Sequence, residues 1–181
     1  MKKMMTCCAL LACVFSAHAY ELVANVSMDE ESKWHFDIEL ADNDIDFTAF
    51  QLDIAIDGDA KLERKDMTCG PLMHRHSLMV AMPQEHYRVA GYNLSGTTFK
   101  EKEGLLFSFV IDGAVRSINI NKIFFIKPDG TKVEAAGEAD TSDRDFKDLK
   151  DSKDFKDPKD SKDHIYRIGR HGISIRMDSN P

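Results

Sequence analysis

Short runs in which apolar and polar residues alternate, separated by turns of glycine and aspartate, constrain this chain more than any other feature. Apolar side chains occupy every second position in residues 34–40 and again in residues 50–56, with mainly polar residues between them. A period of two puts the apolar side chains on one face of a β-strand, whereas a helix would need them three and four residues apart. Each run is therefore predicted to be an antiparallel strand with one face in the core and the other in water.

Runs of this kind follow one another through most of the chain. The turns between them, such as residues 57–59 and 128–130, place glycine beside aspartate, which allows the positive φ of tight turns. Many short strands in succession are typical of a sandwich or a barrel. The predicted fold class is all-β: a jelly-roll or immunoglobulin-like β-sandwich of about nine antiparallel strands at residues 20–137. The predicted strands are 21–26, 34–40, 49–56, 62–68, 78–82, 87–92, 104–111, 117–126 and 131–134.

The composition changes abruptly after Gly137. Residues 145–163 repeat the triplet Asp-x-Lys six times before a final aspartate, and the variable position includes Pro158. A period of three drifts around a helix and proline interrupts one, so residues 138–163 are predicted to be a low-complexity, disordered, charged linker. Residues 164–181 carry several isoleucines and are predicted to form a hairpin that docks on the domain or else to stay mobile, since an isolated hairpin is marginally stable.

The beginning of the chain has the pattern of an export signal. Two lysines precede an uncharged apolar run at residues 4–15, and Ala-His-Ala follows at residues 17–19. Residues 1–19 are therefore predicted to be a cleavable signal peptide. The run is shorter than the roughly 20 residues of a membrane span, so no transmembrane segment is predicted. We expect an exported protein of the periplasm, the cell surface or the medium, with lipoprotein anchoring through Cys13 as a minor alternative.

Charge and cysteine content limit which classes of partner and which disulfide bonds are possible for the predicted domain. Residues 20–137 hold 20 acidic and 12 basic side chains, a balance of −8. Nucleic acids and anionic membranes are bound through basic patches, so neither is expected as a partner. Without the signal peptide Cys69 is the only cysteine, which excludes an internal disulfide and leaves a buried small side chain or an intermolecular bridge.

Motifs of catalytic sites are missing from the sequence. It has no nucleophile elbow, no His-Glu-x-x-His and no phosphate-binding loop. Acidic residues are numerous, but a glycosidase needs two of them placed across a cleft. The chain is therefore predicted not to be an enzyme, with a small glycan hydrolase as the less favoured alternative.

Asp42, Asp44 and Asp46, at alternate positions, are the candidate ligands of a metal site. Calcium loops place oxygen ligands at alternate positions in this way, but an EF-hand loop needs glycine and glutamate where this chain has Phe47 and Asp53. A solvated acidic turn is the favoured interpretation. No cofactor is predicted, and calcium at the three aspartates is retained as a hypothesis.

Four blocks of the sequence carry a family resemblance. They are FTAFQLDIAIDG from Phe47, YRVAGYNLSGTTF from Tyr87, GLLFSFVIDG from Gly104 and INKIFFIKPDG from Ile120. In order and spacing they resemble the cohesin-like domain of secreted Bacteroidetes proteins, over residues 20–136. The resemblance implies a nine-stranded jelly-roll sandwich and a non-catalytic interaction module, since true cohesins grip a dockerin through one sheet face. Residues 164–181 faintly resemble the tails that close many such proteins, which implies a truncated sorting or anchoring tail.

The predicted function is that of a non-catalytic exported interaction module. Its ligand is expected to be a protein, dockerin-like or another envelope protein, or a glycan, bound through a sheet face or the loop ends. The alternative is a structural subunit of a cell-surface assembly that donates or accepts a strand along a sheet edge. The candidate binding residues are Asp42, Asp44, Asp46, Tyr87, Arg88, Tyr92 and Asn93.

Overall fold

The alternating runs form strands in the computed structural model, which describes residues 20–41, 43–134, 164–169 and 171–177. These residues include no α-helix, only two short 3-10 turns at Arg64–Asp66 and Pro71–Met73. Within them we find no helix with the length and apolar character needed to cross a membrane. The strands are β1 (Glu21–Met28), β2 (Trp34–Ala41), β3 (Ala49–Gly58), β4 (Met67–Cys69), β5 (Ser77–Ala81), β6 (Tyr87–Tyr92), β7 (Gly104–Ile111), β8 (Val115–Ile126), β9 (Lys132–Glu134), β10 (His164–Ile168) and β11 (Ile173–Arg176).

The strands form two antiparallel sheets that pack face to face. One sheet has the order β10-β1-β2-β7-β4, and the other has the order β11-β8-β3-β6-β5 with β9 also paired to β8. Each of the nine predicted strands has a counterpart, and the predicted all-β sandwich is confirmed. The signal peptide predicted at 1–19, Cys13 and the linker predicted at 138–163 lie outside the described residues.

Aromatic rings in the core join the two sheets. Phe50 of β3 stacks on Phe107 of β7 across the two sheets with ring centroids 5.5 Å apart, and within one sheet Phe36 stacks on its register partner Phe109 at 4.6 Å. All four side chains are buried. Complete burial of a side chain of this size contributes about 1.5–3 kcal/mol. The inward half of each alternating run therefore holds the sheets together.

The strand predicted at residues 62–68 is mostly replaced by a 3-10 turn, and only β4 remains of it. The Asp66 carboxylate accepts a hydrogen bond from the Glu63 N–H at 2.9 Å, and the Arg64 guanidinium donates to the carbonyls of Met67 and Leu78 at 2.7 and 3.0 Å. Local side-chain hydrogen bonds of this kind compete with a sheet ladder. They account for the shortened strand.

The described residues of the segment predicted at 164–181 dock on the sandwich, and we call residues 164–169 and 171–177 the strap. Its two strands do not form a hairpin with each other: β10 pairs with β1 in one sheet and β11 pairs with β8 in the other. A bridge between Gly169 and Gly172 makes the crossing, where Gly172 has φ of 84°. The sandwich predicted at 20–137 therefore also includes strands from beyond residue 163.

Candidate functional site

The outward side chains of the sheet around β3 form a broad surface, which we call the β3 face. Antiparallel register sets its neighbours: Gln51 lies between Ala90 and Phe124, and Asp53 lies between Arg88 and Asn121. Alanines at several positions leave the centre flat, since a methyl group barely rises above the backbone. The β3 face consists of Ala49, Gln51, Asp53, Ala55, Met79, Ala81, Arg88, Ala90, Tyr92, Asn119, Asn121, Phe124, Ile126 and Ser174.

Apolar side chains cover one end of the β3 face. Tyr92 of β6 and Phe124 and Ile126 of β8 are half-buried there, and Met79 of the edge strand β5 is 46 % exposed. The Lys132 ammonium lies 4.4 Å from the centroid of the Phe124 ring, a cation–π contact. Aromatic and methionine side chains that stay partly in water are enriched at protein interfaces. This end of the face therefore has the composition of a contact surface.

One carboxylate and three basic side chains meet at the other end of the β3 face. Asp53 points outward from β3 and is nevertheless only 1 % exposed. The Arg88 guanidinium covers it with two hydrogen bonds, Nε to Oδ1 at 2.8 Å and an Nη to Oδ2 at 2.9 Å. His86 Nε2 and Lys122 Nζ lie 3.1 and 3.5 Å from Oδ2. The cluster thus gathers one carboxylate and three basic side chains on strands and loops that are distant in sequence.

The basic neighbours keep Asp53 ionised. Burial by itself would raise the pKa of Asp53, but the hydrogen bond from Arg88 and the charges of Arg88, His86 and Lys122 outweigh it, so the pKa is lowered. The same hydrogen bond raises the pKa of Arg88. A bidentate arginine–carboxylate pair also restricts both side chains to one geometry. The Asp53–Arg88 pair is therefore held in one arrangement by the fold itself.

A β-bulge places Lys122 in this cluster. The register of β3 and β8 shifts between Gln51 and Asp53, so that β8 has one extra residue there, and Lys122 takes φ of 50°. Bulges of this kind redirect a side chain and often occur beside functional sites. A shallow groove opens next to the cluster and is lined by Ala55, Gln84, Glu85, His86, Asn121 and Lys122.

The structure separates the sequence-predicted residues of β6. Arg88 and Tyr92 lie on the β3 face, but Tyr87 is in the core and only 9 % exposed, so it does not belong to the exposed surface. Positions 87 and 92 differ by an odd number, and in a strand this puts them on opposite faces. The alternation that identified β6 already contained that information, because Val89 had to point inward.

Asn93 has a structural role at the end of β6. Its side-chain oxygen accepts a hydrogen bond from the Ser95 N–H at 2.8 Å, and its side-chain nitrogen donates to the Arg75 carbonyl. Its own carbonyl accepts from the Gly96 N–H at 3.1 Å. These contacts close a turn, and binding through Asn93 stays a prediction.

The acidic loop after β2 is organised by an asparagine and a lysine. Buried Asn43 donates hydrogen bonds to the carbonyls of Ile45 and Lys102 at 2.9 and 2.8 Å. The Lys102 ammonium in turn lies 2.7 Å from the Asp44 carbonyl and 2.7 Å from the Asp46 carboxylate. Asp42 is outside the described residues, and the residues that are described hold no group of three or more metal-ligating side chains. Calcium at the three aspartates stays a prediction.

The opposite outer surface, which we call the β2 face, has a different character. Its central strands carry Asp37 and Glu39 on β2 beside Asn25 on β1, and a hydrogen bond links Glu39 to Asn25. Burial and the charge of Asp37 raise the pKa of Glu39 in spite of that hydrogen bond. At the edge of this surface Arg167 Nε lies 2.6 Å from the Glu21 carboxylate. The β2 face is thus acidic at its centre, where Val23 and Ile165 line a shallow groove beside Asp37 and Glu39. Among the described residues it has none of the half-exposed aromatic side chains of the β3 face.

Comparison with known proteins gives a likeness of fold. No protein-family model matches the sequence, and no curated protein sequence matches it. A cohesin module of a Clostridium perfringens family 33 glycoside hydrolase superposes with a TM-score of 0.50 at 8 % identity, covering 65 % of this chain and 90 % of that one.

Two further cohesins are similar at lower scores. A cohesin of the Acetivibrio cellulolyticus scaffoldin B, solved in complex with a dockerin, has a TM-score of 0.49 and 10 % identity over 65 % of this chain and 92 % of that one. A non-cellulosomal cohesin of Archaeoglobus fulgidus has a TM-score of 0.45 and 15 % identity, covering 62 % and 83 %. The likeness to the Clostridium perfringens module confirms the fold that the four sequence blocks indicated: the described sandwich has a cohesin-like fold.

Proposed function

We propose that this domain is a non-catalytic module that binds a protein partner through the β3 face. The observation that carries the proposal is the combination on one flat sheet surface of half-exposed apolar side chains with a charge cluster fixed around Asp53. Interfaces gain affinity from aromatic and methionine contacts and gain orientation from charged groups held in place beforehand. The cohesin-like fold supports the same function.

The shape of the β3 face favours a protein over a small ligand. Ala49, Ala55, Ala81 and Ala90 leave its centre without a deep cleft, and the groove beside Lys122 is shallow. Small molecules are bound in concave sites that enclose most of their surface. A flat surface instead suits another flat surface or the side of a helix.

We infer that the partner is met outside the cytoplasm, because residues 1–19 have the pattern of a signal peptide. The absence of catalytic motifs from the sequence supports a role without chemistry. Glycan binding through the half-exposed rings of Tyr92 and Phe124 is the second candidate, since aromatic rings that reach the surface also stack on sugars.

The test compares substitutions on the two outer surfaces. Ala90→Arg introduces a long charged side chain at the flat centre of the β3 face, and Asn25→Arg introduces the same side chain on the β2 face. The chain from Tyr20 onward and both variants serve as bait in envelope and culture-fluid extracts of the source cells, with captured proteins identified by mass spectrometry. We expect a stoichiometric partner that Asn25→Arg retains and Ala90→Arg loses by at least about tenfold, the effect of 1.4 kcal/mol.

Equal capture by both variants, or loss with Asn25→Arg only, would contradict the β3 face as the binding surface. Far-ultraviolet circular dichroism and thermal unfolding of each variant show whether the sandwich is intact. The same three proteins on a glycan array test the second candidate, which requires sugar binding that Ala90→Arg removes. A parallel capture with a calcium chelator tests the hypothesis for Asp42, Asp44 and Asp46.

A further inference from the structure

The strap joins the rest of the sandwich through two complete strand pairings. β10 pairs with β1 from Leu22–Ile168 to Val26–His164, and β11 pairs with β8 from Ile120–Ile173 to Ser117–Arg176. One element thereby covers an edge of each sheet. Strand edges left open are sites where another strand can add.

Side chains of the strap also complete the core. The inward-pointing members are nearly inaccessible to water, whereas Ile165 points outward and is 41 % exposed. A backbone ladder combined with alternate buried side chains is the mode in which sheet edges recognise peptides. The inward members are Ile168, Ile173, Ile175 and Met177.

The crossing between the two strap strands is selective for glycine. Gly172 takes φ of 84°, and a Cβ at this position would lie 2.0 Å from the Ile120 carbonyl oxygen. A peptide that fills both edges must therefore carry glycine between its two strands. The strap of this chain meets that requirement, and an arbitrary β-strand of another protein does not.

The strand pairings that hold the strap in place do not involve the chain segment that connects the strap to β9. Residues 135–163 separate β9 from β10, and 29 residues span at most about 100 Å. Every pairing just described joins the strap to β1 or β8, so the same contacts form whichever chain supplies the strap. The connection raises only the local concentration of the strap at the site.

We propose that the space between the edges of β1 and β8 is a peptide-binding site, that the strap is its ligand, and that the strap of a second copy of this chain fits it. At low protein concentration each copy then binds its own strap, and at high concentration the copies exchange straps. This site lies at the strand edges, apart from the β3 face, and the proposal is independent of the proposed function.

The first test cuts the connection in the full chain. A site-specific protease sequence is inserted after Ser152, and after cleavage a labelled synthetic peptide of residues 164–177 is added. We expect the cut strap to co-elute with the body in gel filtration and the labelled peptide to replace it at one per body. Separation of the cut strap from a folded body, or unfolding of the body on cleavage, would overturn the proposal.

Matched peptides test the fit. An Ile165→Thr peptide, changed on the outward side without adding charge beside Asp37 and Glu39, should bind within about threefold of the unchanged peptide, since Ile165 points away from the core. An Ile173→Asp, Ile175→Asp peptide and a Gly172→Ala peptide should each bind at least about 100-fold more weakly, a loss of two decades of affinity. Equal binding of all the peptides would mean that the contact is non-specific and would overturn the site.

The second test asks whether copies exchange straps. In a chain that starts at Tyr20 and carries Cys69→Ser, Asn25→Cys and Ile165→Cys versions are mixed at high concentration, refolded together and oxidised, because positions 25 and 165 are register partners. Disulfide-linked dimers between the two chains support exchange. Asn25→Cys mixed with Ser174→Cys is the control, since Ser174 lies in the other sheet. Dimers no more abundant than in that control would overturn the second copy as occupant.

Discussion

The pKa of a carboxyl group is shifted in opposite directions on the two outer surfaces of the sandwich. On the β3 face Asp53 is covered by Arg88, and neighbouring basic groups lower its pKa. On the β2 face Glu39 is partly buried beside Asp37, and its pKa is raised. Both carboxylates belong to alternating strands that look equivalent in the sequence. The difference shows that the charge of a strand position depends on which strands become its neighbours, and it identifies the β3 face as the surface with a prearranged charge cluster.

Removal of the Asp53 carboxylate should have the largest effect on this comparison. Asp53→Ala leaves Arg88, His86 and Lys122 close together without their anion, and we expect a loss of about 2 kcal/mol in the free energy of unfolding. Urea denaturation monitored by circular dichroism measures it. Asp37→Ala is the matched control on the β2 face and should lose less than about 0.5 kcal/mol, since it also relieves a like-charge contact. Equal losses in the two variants would show that the Asp53 cluster has no special role in stability.

Lowering the pH should change the free energy of unfolding in opposite directions through Asp53 and Glu39. The pKa of Asp53 is lowered from 3.8, so its stabilising contribution is present above that value and is lost as the pH falls through the lower folded-state pKa. The pKa of Glu39 is raised from 4.5, so Glu39 costs stability as the pH rises from 4.5 through its folded-state pKa.

Melting temperatures between pH 2 and pH 7 check these signs, at about half-unit intervals that resolve a single titration. Asp53→Asn should flatten the loss of stability on the acid side, and Glu39→Gln should steepen the rise between pH 4.5 and neutrality. A pH profile unchanged by either substitution would contradict the assignment of these shifts.

A smaller effect of opposite sign is expected at neutral pH on the β2 face. Glu39→Gln removes the repulsion with Asp37 while keeping the shape of the side chain, and we expect a gain of about 0.5 kcal/mol in the free energy of unfolding. The Glu39→Gln, Asp37→Asn double variant should gain less than the sum of the single variants, because either change already relieves the contact. Destabilisation by Glu39→Gln would mean that its hydrogen bond with Asn25 outweighs the repulsion.

The smallest effect should come from Lys122. Its ammonium lies 3.5 Å from Asp53 and its side chain is 63 % exposed, so water screens the attraction. Lys122→Gln should change the free energy of unfolding by less than about 0.5 kcal/mol and should lose that difference in high salt. A salt-independent loss above 1 kcal/mol would indicate that the bulge, and not the charge, was disturbed.

Sequence patterns predicted the strands of the sandwich better than its site. Alternation identified β2, β3 and β8 and their inward faces, because a period of two is a local property. It also placed Asp53 on the outward face, yet it gave no sign that Asp53 is buried, since the covering residues Arg88 and Lys122 lie on β6 and β8. Tyr87 was predicted as a binding residue, but it lies two positions from Val89 and therefore shares the inward face of β6.

The strap likewise shows what neighbouring residues predict and what depends on contacts between distant residues. Isoleucines around two glycines indicated short strands within residues 164–181, but not that one would join each sheet. Period-two alternation is a property of adjacent residues, and it is enough to determine which positions of a strand face the core. The order of the strands, the ion pair between Asp53 and Arg88 and the fit of Gly172 against Ile120 arise from groups far apart in the chain, and they exist only once the sheets have packed.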